Sequence, residues 1–205
     1  MKRLALALAT LAVLPAYLLY RLGALALGPG KAFQGWSHAF ALIPGLSGVY
    51  LRRAFYRLTL AGCGEDACLS FGSVFAGPDA RVGRGVFVGV YCCLGESVLE
   101  DDVLLASGVS VVNGGRQHGT DRLDVPIRRQ PGVWESVTVG RGAWVGERAV
   151  VMADVGAHCI IGAGAVVTEA VPDYAIAVGV PAKVIAYRGG ARGPSTPAAA
   201  GPPLT

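Results

Sequence analysis

The sequence predicts a mainly β protein, a three-sided parallel solenoid entered through an apolar, helical N-terminal segment. Three observations carry this expectation. An aliphatic residue followed by a small one recurs at a six-residue period over roughly residues 69–187. The chain has 30 glycines and 12 prolines in 205 residues, and it is 53% hydrophobic but only 16% charged, against about 25% charged for an ordinary soluble domain. Residues 4–28 are apolar except for Arg21.

The N-terminal run comes first. Its uncharged part, Leu4 to Tyr20, is 17 residues long, at the short end of the ~17–25 that span a bilayer. Three readings stay open. A basic start before an apolar run fits a cleaved signal peptide. A single span also fits, with Arg21, Lys31, Arg52, Arg53 and Arg57 keeping the solenoid on the cytoplasmic side. Pro15 would kink a helix here, which suits a re-entrant segment with both ends on one side. Because residues 31–57 continue basic and aromatic, a retained anchor over residues 1–30 is favoured, whether spanning or re-entrant.

Residues 31–64 read as an amphipathic helical collar. Phe33, Trp36 and Phe40 recur at helical spacing, and Pro44–Gly45 then breaks the chain. Beyond it Leu51, Phe55 and Leu58 line one face while Arg52, Arg53 and Arg57 cluster on another. Aromatics beside arginines suit a membrane interface. The same pattern suits a helix packed on the end of a core.

Charge divides the chain in the same place. Residues 1–64 hold seven basic residues and no acid, whereas the remainder holds eleven basic residues and all 14 acids. Positive charge next to apolar segments matches anionic lipid headgroups. A nucleic-acid binder would carry its basic stripe on the folded domain, so no nucleic-acid partner is expected. The five cysteines, at 63, 68, 92, 93 and 159, form no CxxC and include an adjacent pair, which suits small residues in a reducing compartment better than a disulfide framework or a zinc site.

The repeat itself runs Val82-Gly83, Val88-Gly89, Leu94-Gly95, Leu99-Glu100, Leu105-Ala106, Val111, then Val139-Gly140, Val145-Gly146, Val155-Gly156 and Ile161-Gly162. A second small or β-branched residue stands four places after the aliphatic, as at Val86, Val98, Val103, Val109, Ala143, Ala149 and Ala165. Short fixed periods of this kind signal a solenoid. Three hexapeptides make one triangular coil, the aliphatics pointing into the prism and the small residues permitting the corners. Stacked coils pair as parallel strands about 4.8 Å apart and bury one continuous apolar column. An antiparallel sandwich would instead need period-two alternation and hairpin turns.

The pattern resembles the hexapeptide-repeat acyltransferases over roughly residues 69–187. It does so most specifically over 106–187, where ASGVSVVNGGRQHG, VTVGRGAWVGERAVV, IIGAGAVVT and VPDYAIAVGVPAKVI stand in family order. The resemblance implies a left-handed parallel β-helix over residues 65–188, a homotrimer with its sites between subunits, and acetyl-CoA as co-substrate. It also implies transfer of the acetyl group to a sugar hydroxyl, in exopolysaccharide or lipid-linked glycan synthesis. The anchor would then put a membrane-associated enzyme on the cytoplasmic face of the inner membrane, through residues 1–60.

Residues 113–136 interrupt the repeat, and a polar excursion of that length inside a solenoid is a mark of function or disorder. It contains His118, which matches the family's catalytic base in a loop just before the coil carrying GxxxWxG. An imidazole titrates close enough to neutrality to move a proton. Its orienting partner stays open among Asn113, Asp121, Asp124 and Glu147. By the same resemblance Ala163 and Thr168 would meet the pantetheine arm, Lys183 the phosphates, Trp144 the channel wall and Gly146 the oxyanion side. Glu169, where relatives often have lysine, and Glu147, where a small residue is common, depart from the pattern. A route through a cysteine would need a thiol near the base, and Cys92 and Cys93 lie in earlier coils.

Three other functions compete. A γ-class carbonic anhydrase needs three histidines on one metal, and this chain has only His38, His118 and His158, far apart in sequence, so no metal is expected. A non-catalytic membrane-attached scaffold and N-acetylation of an amino sugar are the other two. The Pro/Gly/Ala-rich residues 189–205 are expected to be a disordered tail.

Overall fold

In the computed structural model, which describes residues 2–190, three helices precede a six-coil parallel solenoid. The helices are α1 (Lys2–Leu27), α2 (Pro29–Ala41) and α3 (Gly45–Thr59). Pro29 sits at the first position of α2, where its missing N–H costs nothing, and Gly28 supplies the positive φ of 84° that turns the chain between α1 and α2. Pro44 and Gly45 separate α2 from α3, as the sequence predicts.

The first coil contributes β1 (Gly62–Cys63), β2 (Cys68–Leu69) and β3 (Val74–Phe75), and the second β4 (Arg81–Val82), β5 (Phe87–Val88) and β6 (Cys93–Leu94). The third holds β7 (Ser97–Leu99), β8 (Leu104–Leu105) and β9 (Ser110–Val111), and the fourth β10 (Val137–Val139), β11 (Trp144–Val145) and β12 (Val150–Val151). In the fifth, Val155 forms a single bridge before β13 (Ile160–Ile161) and β14 (Val166–Val167). The sixth has the Val171 bridge and β15 (Ala175–Val178), which the last strand, β16 (Lys183–Tyr187), closes antiparallel. Stacking gives three faces, ordered β1-β4-β7-β10, β2-β5-β8-β11-β13-β15-β16 and β3-β6-β9-β12-β14. The solenoid therefore begins at Gly62, a few residues before the expected 65 and inside the expected collar.

The aliphatics of the repeat fill the prism. Val82, Leu99, Val139, Val155 and Val171 form the inner column of the first face, Leu69, Val88, Leu105, Val145, Ile161 and Ala177 that of the second, and Phe75, Leu94, Val111, Val151 and Val167 that of the third, all buried. Each such side chain is worth about 1.5–3 kcal/mol of burial. Val98 alone of the second set misses the interior: the five-residue step after Leu94 makes it the outward-facing middle residue of β7.

The small residues do two separate jobs. Gly146 is required by close approach, because a Cβ there would stand 2.5 Å from the Ala163 nitrogen of the next coil. The corners proper use a different position with positive φ, filled by Gly142 at 64° but by Arg148 at 56° and His158 at 58° in neighbouring corners. A non-glycine residue there carries about 1–2 kcal/mol of strain, which the stack imposes.

The helices seal the first coil. α3 packs on β1 and β2, α2 packs on β3, and α1 lies over both helices. Phe33, Phe40, Phe55 and Tyr56 form an aromatic cluster, and Tyr56 meets Phe75 edge-on at 4.9 Å between ring centroids. Phe33 and Phe40 are thus core residues rather than interfacial ones. Arg52, expected in a surface cluster with Arg53 and Arg57, is fully buried. Its guanidinium donates to the carbonyls of Phe40 (3.1 Å) and Ile43 (2.6 Å) at the end of α2, and to Leu69 (2.9 Å) in β2. The Ile43 and Leu69 carbonyls have no other partner among the described residues, that of Phe40 also accepts from Ile43 N–H (3.3 Å), and the forked cation reaches all three at once. Of the expected tail, residues 189–190 complete a short turn against the last strand, and residues 191–205 lie outside the described residues.

Candidate active site

The loop between β9 and β10 leaves the edge where the third face turns into the first. Although the chain departs for 25 residues there, the stack does not: Val111 still pairs with Val151 above it, and Val139 with Leu99 below. The loop is pinned at its root. Glu135 N–H donates to the Asn113 carbonyl (3.2 Å), Val133 N–H to Arg116 (2.7 Å), and Arg116 pairs with Glu135 at 2.7 Å. Its tip is built around Gln130, whose buried side chain donates to the carbonyls of Arg122 (2.6 Å) and Val125 (2.8 Å) and accepts from Arg122 N–H (3.1 Å).

His118 sits on the outgoing strand of this loop, exposed, with the Trp134 ring edge-on at 6.3 Å. None of the four expected orienting residues holds it. Asp124 is occupied by Arg122 in an exposed pair, which keeps its carboxyl below the usual carboxylate range. Asn113 is buried, its Oδ1 accepting from Glu96 N–H (3.3 Å) and its Nδ2 unpartnered. Asp121 and Glu147 are exposed. Among the described residues His118 has no side-chain hydrogen bond, and Trp134 is its structural neighbour. Gln130 and Trp134 are site residues that motif reading missed. The visible signal was Val133-Trp134, an apolar pair returning inside a polar excursion.

The expected cofactor residues fall on two edges of the prism. Trp144, half exposed at 49%, Gly146 and Ala163 line the edge between the second and third faces, in adjacent coils. There the Gly146 N–H is already donated to Ile161 (2.7 Å), so it is not free for an oxyanion. The N–H groups of Glu147 and Ala163, in contrast, have no acceptor among the described residues. Gly162, Ala163 and Gly164 leave this edge without a bulky side chain. Thr168 lies instead on the third-to-first edge, two coils above the strand from which the loop departs, where it lines a cleft of about 610 Å³ with Gly115, Arg116, Met152 and Asp154. Lys183 opens β16 and reaches Glu169 at 3.7 Å, both ends exposed. Within one chain, therefore, the loop of His118 and the Trp144–Ala163 channel occupy different edges, with the third face between them.

Three of the five thiols are held protonated by burial. Burial pushes Cys63 up to about 12 and raises Cys92 and Cys159. Among the described residues no three His, Cys, Asp or Glu side chains are grouped to hold a metal ion.

A parallel three-sided solenoid with a histidine-bearing loop at one edge and a small-residue channel at the next defines the hexapeptide-repeat class. No protein-family model matches the sequence. A probable acetyltransferase of Mycobacterium tuberculosis is 33% identical over 119 residues, 57% of this chain and 38% of its own length. A serine acetyltransferase of Haemophilus influenzae is 35% identical over 111 residues, 53% of this chain and 37% of its own. The chain thus spans less than two-fifths of the length of these two relatives. The galactoside O-acetyltransferase of Escherichia coli is 28% identical over 146 residues, 68% of this chain and 70% of its own. Among solved structures, a galactoside acetyltransferase in complex with coenzyme A superposes with a TM-score of 0.64 at 20% identity, covering 77% of this chain and 81% of that one. A Vibrio cholerae hexapeptide-repeat acetyltransferase complexed with acetyl coenzyme A gives 0.63 at 18% identity, over 77% and 87%. At these identities the likeness is one of fold, and the six-coil prism is consistent with the left-handed β-helix that the resemblance implies. In sequence and in fold together, the chain is similar to hexapeptide-repeat acetyltransferases.

Proposed function

We propose that this chain transfers an acetyl group from acetyl-CoA to a sugar hydroxyl, with His118 as general base, at the seams of a homotrimer. The observation that carries this is the division of the site: a projecting imidazole on one edge, and on the next a channel with two unclaimed N–H groups. That channel suits a slender thioester arm, since Trp144 gives it a wall and the Gly162–Gly164 run leaves its floor bare. Glu169 beside Lys183 suits the phosphates less well, because it offsets the cation that the resemblance assigns to them.

The chemistry is direct. The His118 imidazole takes the proton of the acceptor hydroxyl as its oxygen bonds to the thioester carbonyl carbon. The Glu147 and Ala163 N–H groups donate to the carbonyl oxygen as negative charge gathers there. The carbon–sulfur bond then breaks, and the imidazolium returns its proton to the departing thiolate. Related proteins named for galactosides support a sugar as acceptor, and the apolar first helix supports a membrane-held enzyme acting on exopolysaccharide or lipid-linked glycan at the cytoplasmic face.

Release of CoA thiol in the presence of galactosides, glycan extracts and L-serine tests the proposal, with mass analysis of the acceptors. Sugar-dependent release should fall about 10²–10⁴-fold in His118→Ala. Equal release from His118→Ala would remove His118 as the base, and no acceptor-dependent release from wild type would leave a scaffold. Acetylation of serine alone, or of amino groups alone, would overturn the sugar-hydroxyl assignment.

A further inference from the structure

The first helix is two-sided in a way that length and composition do not disclose. Leu6, Ala9, Val13 and Tyr20 are buried against α2 and α3, while Leu4, Leu8, Leu11, Leu18, Leu22 and Leu25 are exposed, from 58% at Leu8 to 86% at Leu25. These exposed leucines recur at steps of four, three and seven, so they form one continuous stripe along a helix of 26 residues, about 39 Å long. Its first turns share a groove with Arg53, Arg57 and Glu65, at the rim of the first coil. Its Tyr20 stacks edge-on against Phe33 and Phe55, each at an interplanar angle of 75°. A helix held at both places lies across the end of the prism rather than projecting from it.

From this geometry we propose that α1 is a monotopic, in-plane membrane element. Its leucine stripe enters one leaflet of an anionic bilayer, both its ends stay on the solenoid's side, and the solenoid stands end-on above the surface. The inference rests on the proposed membrane attachment and deepens it. For α1 to cross the bilayer, it would have to leave α2 and α3, exposing Val13 and Tyr20 and uncovering the aromatic cluster beneath, or carry both helices into the hydrocarbon. The second course would take Lys31, Gln34, His38 and Arg53 with it. Charge fits the in-plane arrangement: residues 1–64 contain no acid, and exposed Arg3, Arg21, Lys31 and Arg57 flank the stripe, where anionic headgroups would meet them.

The arrangement also sets a height. The His118 loop leaves two coil steps above the first coil, and two helix layers lie below that coil. At ~4.8 Å per coil and ~10 Å per helix layer, the loop root stands roughly 25–30 Å above the lipid-facing side of α1. An acceptor tethered to the same membrane would present a hydroxyl several sugar units out from its lipid, not one at the headgroup.

The test uses the full chain with vesicles of phosphatidylcholine and phosphatidylglycerol. Wild type should float with the vesicles, and Leu11→Asp with Leu18→Asp should reduce binding by about a hundredfold or more while leaving helicity and oligomer size unchanged. Cysteines introduced one at a time by Arg3→Cys and Lys31→Cys, in a background with Cys63, Cys68 and Cys93 each changed to Ser so that only the buried Cys92 and Cys159 remain, should both react with an impermeant maleimide added on the solenoid's side of sealed vesicles. Protection of the Arg3→Cys thiol alone, until detergent is added, would mean that α1 spans and would overturn the proposal while leaving the membrane reading intact. Unchanged binding of the double Leu variant would overturn it too, and so would a fall in its oligomer size, which would make the stripe a contact between copies. Failure of wild type to bind vesicles at all would remove the membrane reading and this inference together.

Discussion

If a working site needs the loop of one copy and the channel of its neighbour, two inactive variants should restore each other. The pair is His118→Ala, which removes the base, and Ala163→Trp, which fills the channel. Ala163 is exposed and has no positive φ, so the indole projects outward and the coil is kept. In a ring of three, each seam joins one loop to the next copy's channel. Any ring containing both variants then has only one seam with an intact loop facing an intact channel, whichever variant is in the majority. Doubly tagged mixed trimers, isolated after co-expression by two successive affinity steps, should therefore turn over at about one third of the wild-type rate with unchanged KM. Homogeneous rings of either variant should stay at their floor. A mixed dimer would give about one half instead, so the ratio also counts the subunits. The third face lies between the two edges within a chain, and it is this separation that the experiment addresses. Mixed rings no more active than His118→Ala alone would refute the shared seam and place the whole site in one copy.

Other consequences are more local. Gln130→Ala removes three hydrogen bonds from the loop tip, about 2–4 kcal/mol of local order. Amide exchange over residues 116–130 should quicken about tenfold or more with the melting temperature of the solenoid unmoved, and unaltered exchange would dismiss Gln130 as the organiser. Arg52→Ala strands the Ile43 and Leu69 carbonyls in a buried cavity, Phe40 keeping its bond from Ile43 N–H, and should cost about 3–5 kcal/mol in urea unfolding, with Arg52→Lys recovering only part of it. A near-neutral Arg52→Ala would show those carbonyls to be satisfied otherwise. Asp101 accepts from the Arg84 N–H (2.8 Å) and pairs with its guanidinium (3.0 Å), contacts that hold its carboxyl below the usual range. A lowered folded-state value gives stability that is complete above the ordinary carboxylate pKa of ~3.9 and lost as pH falls through the lowered one. The melting-temperature gap between wild type and Asp101→Asn should thus be flat from about pH 5 to 8 and close below about pH 4. A gap that persisted at lower pH would mean that the carboxylate is not its source.

The prism was legible because its physics is periodic. Val82, Leu105, Val145 and Ile161 each face inward for the same reason, so one phase assigns them all, and it slips only at Val98, where a five-residue step shifts the register. Coil one was harder to see, since α2 and α3 cover it and Tyr56 and Phe75 replace the usual aliphatic contact. Arg52 shows where pattern stops informing. An arginine on an amphipathic helix looks solvated, and only the tertiary fold reveals the carbonyls of Phe40, Ile43 and Leu69 converging on it. In the loop, motif reading singles out His118 but not Gln130, whose role in ordering the tip has no spacing signature because its side chain bonds to the Arg122 and Val125 carbonyls. The free N–H groups of Glu147 and Ala163 are likewise invisible in sequence, since which backbone donors remain unused depends on the coil above.

The position of the excursion explains how one chain can hold a rigid channel and an adaptable loop together. Where the loop departs, the ladder partners on both sides are already satisfied: Ser110 and Val111 pair with Cys93 and Leu94 below and with Val150 and Val151 above, and Val137–Val139 stack on Ser97–Leu99. The stack therefore does not depend on what the chain does between Asn113 and Ser136. The loop must instead hold itself, and it does so with its own groups, the Arg116–Glu135 pair at the root and Gln130 at the tip. A solenoid tolerates a polar insertion of this length at an edge for the same reason that its repeats add nearly independently. The corollary concerns evolution of the acceptor. Substitutions at exposed loop positions such as Leu123, Ile127 and Val133 can alter what meets His118 with little effect on the coils that form the Ala163 channel. Under the proposed function, acceptor choice and acetyl-CoA handling are then separable, because the loop and the channel sit on parts of the fold that do not share hydrogen bonds.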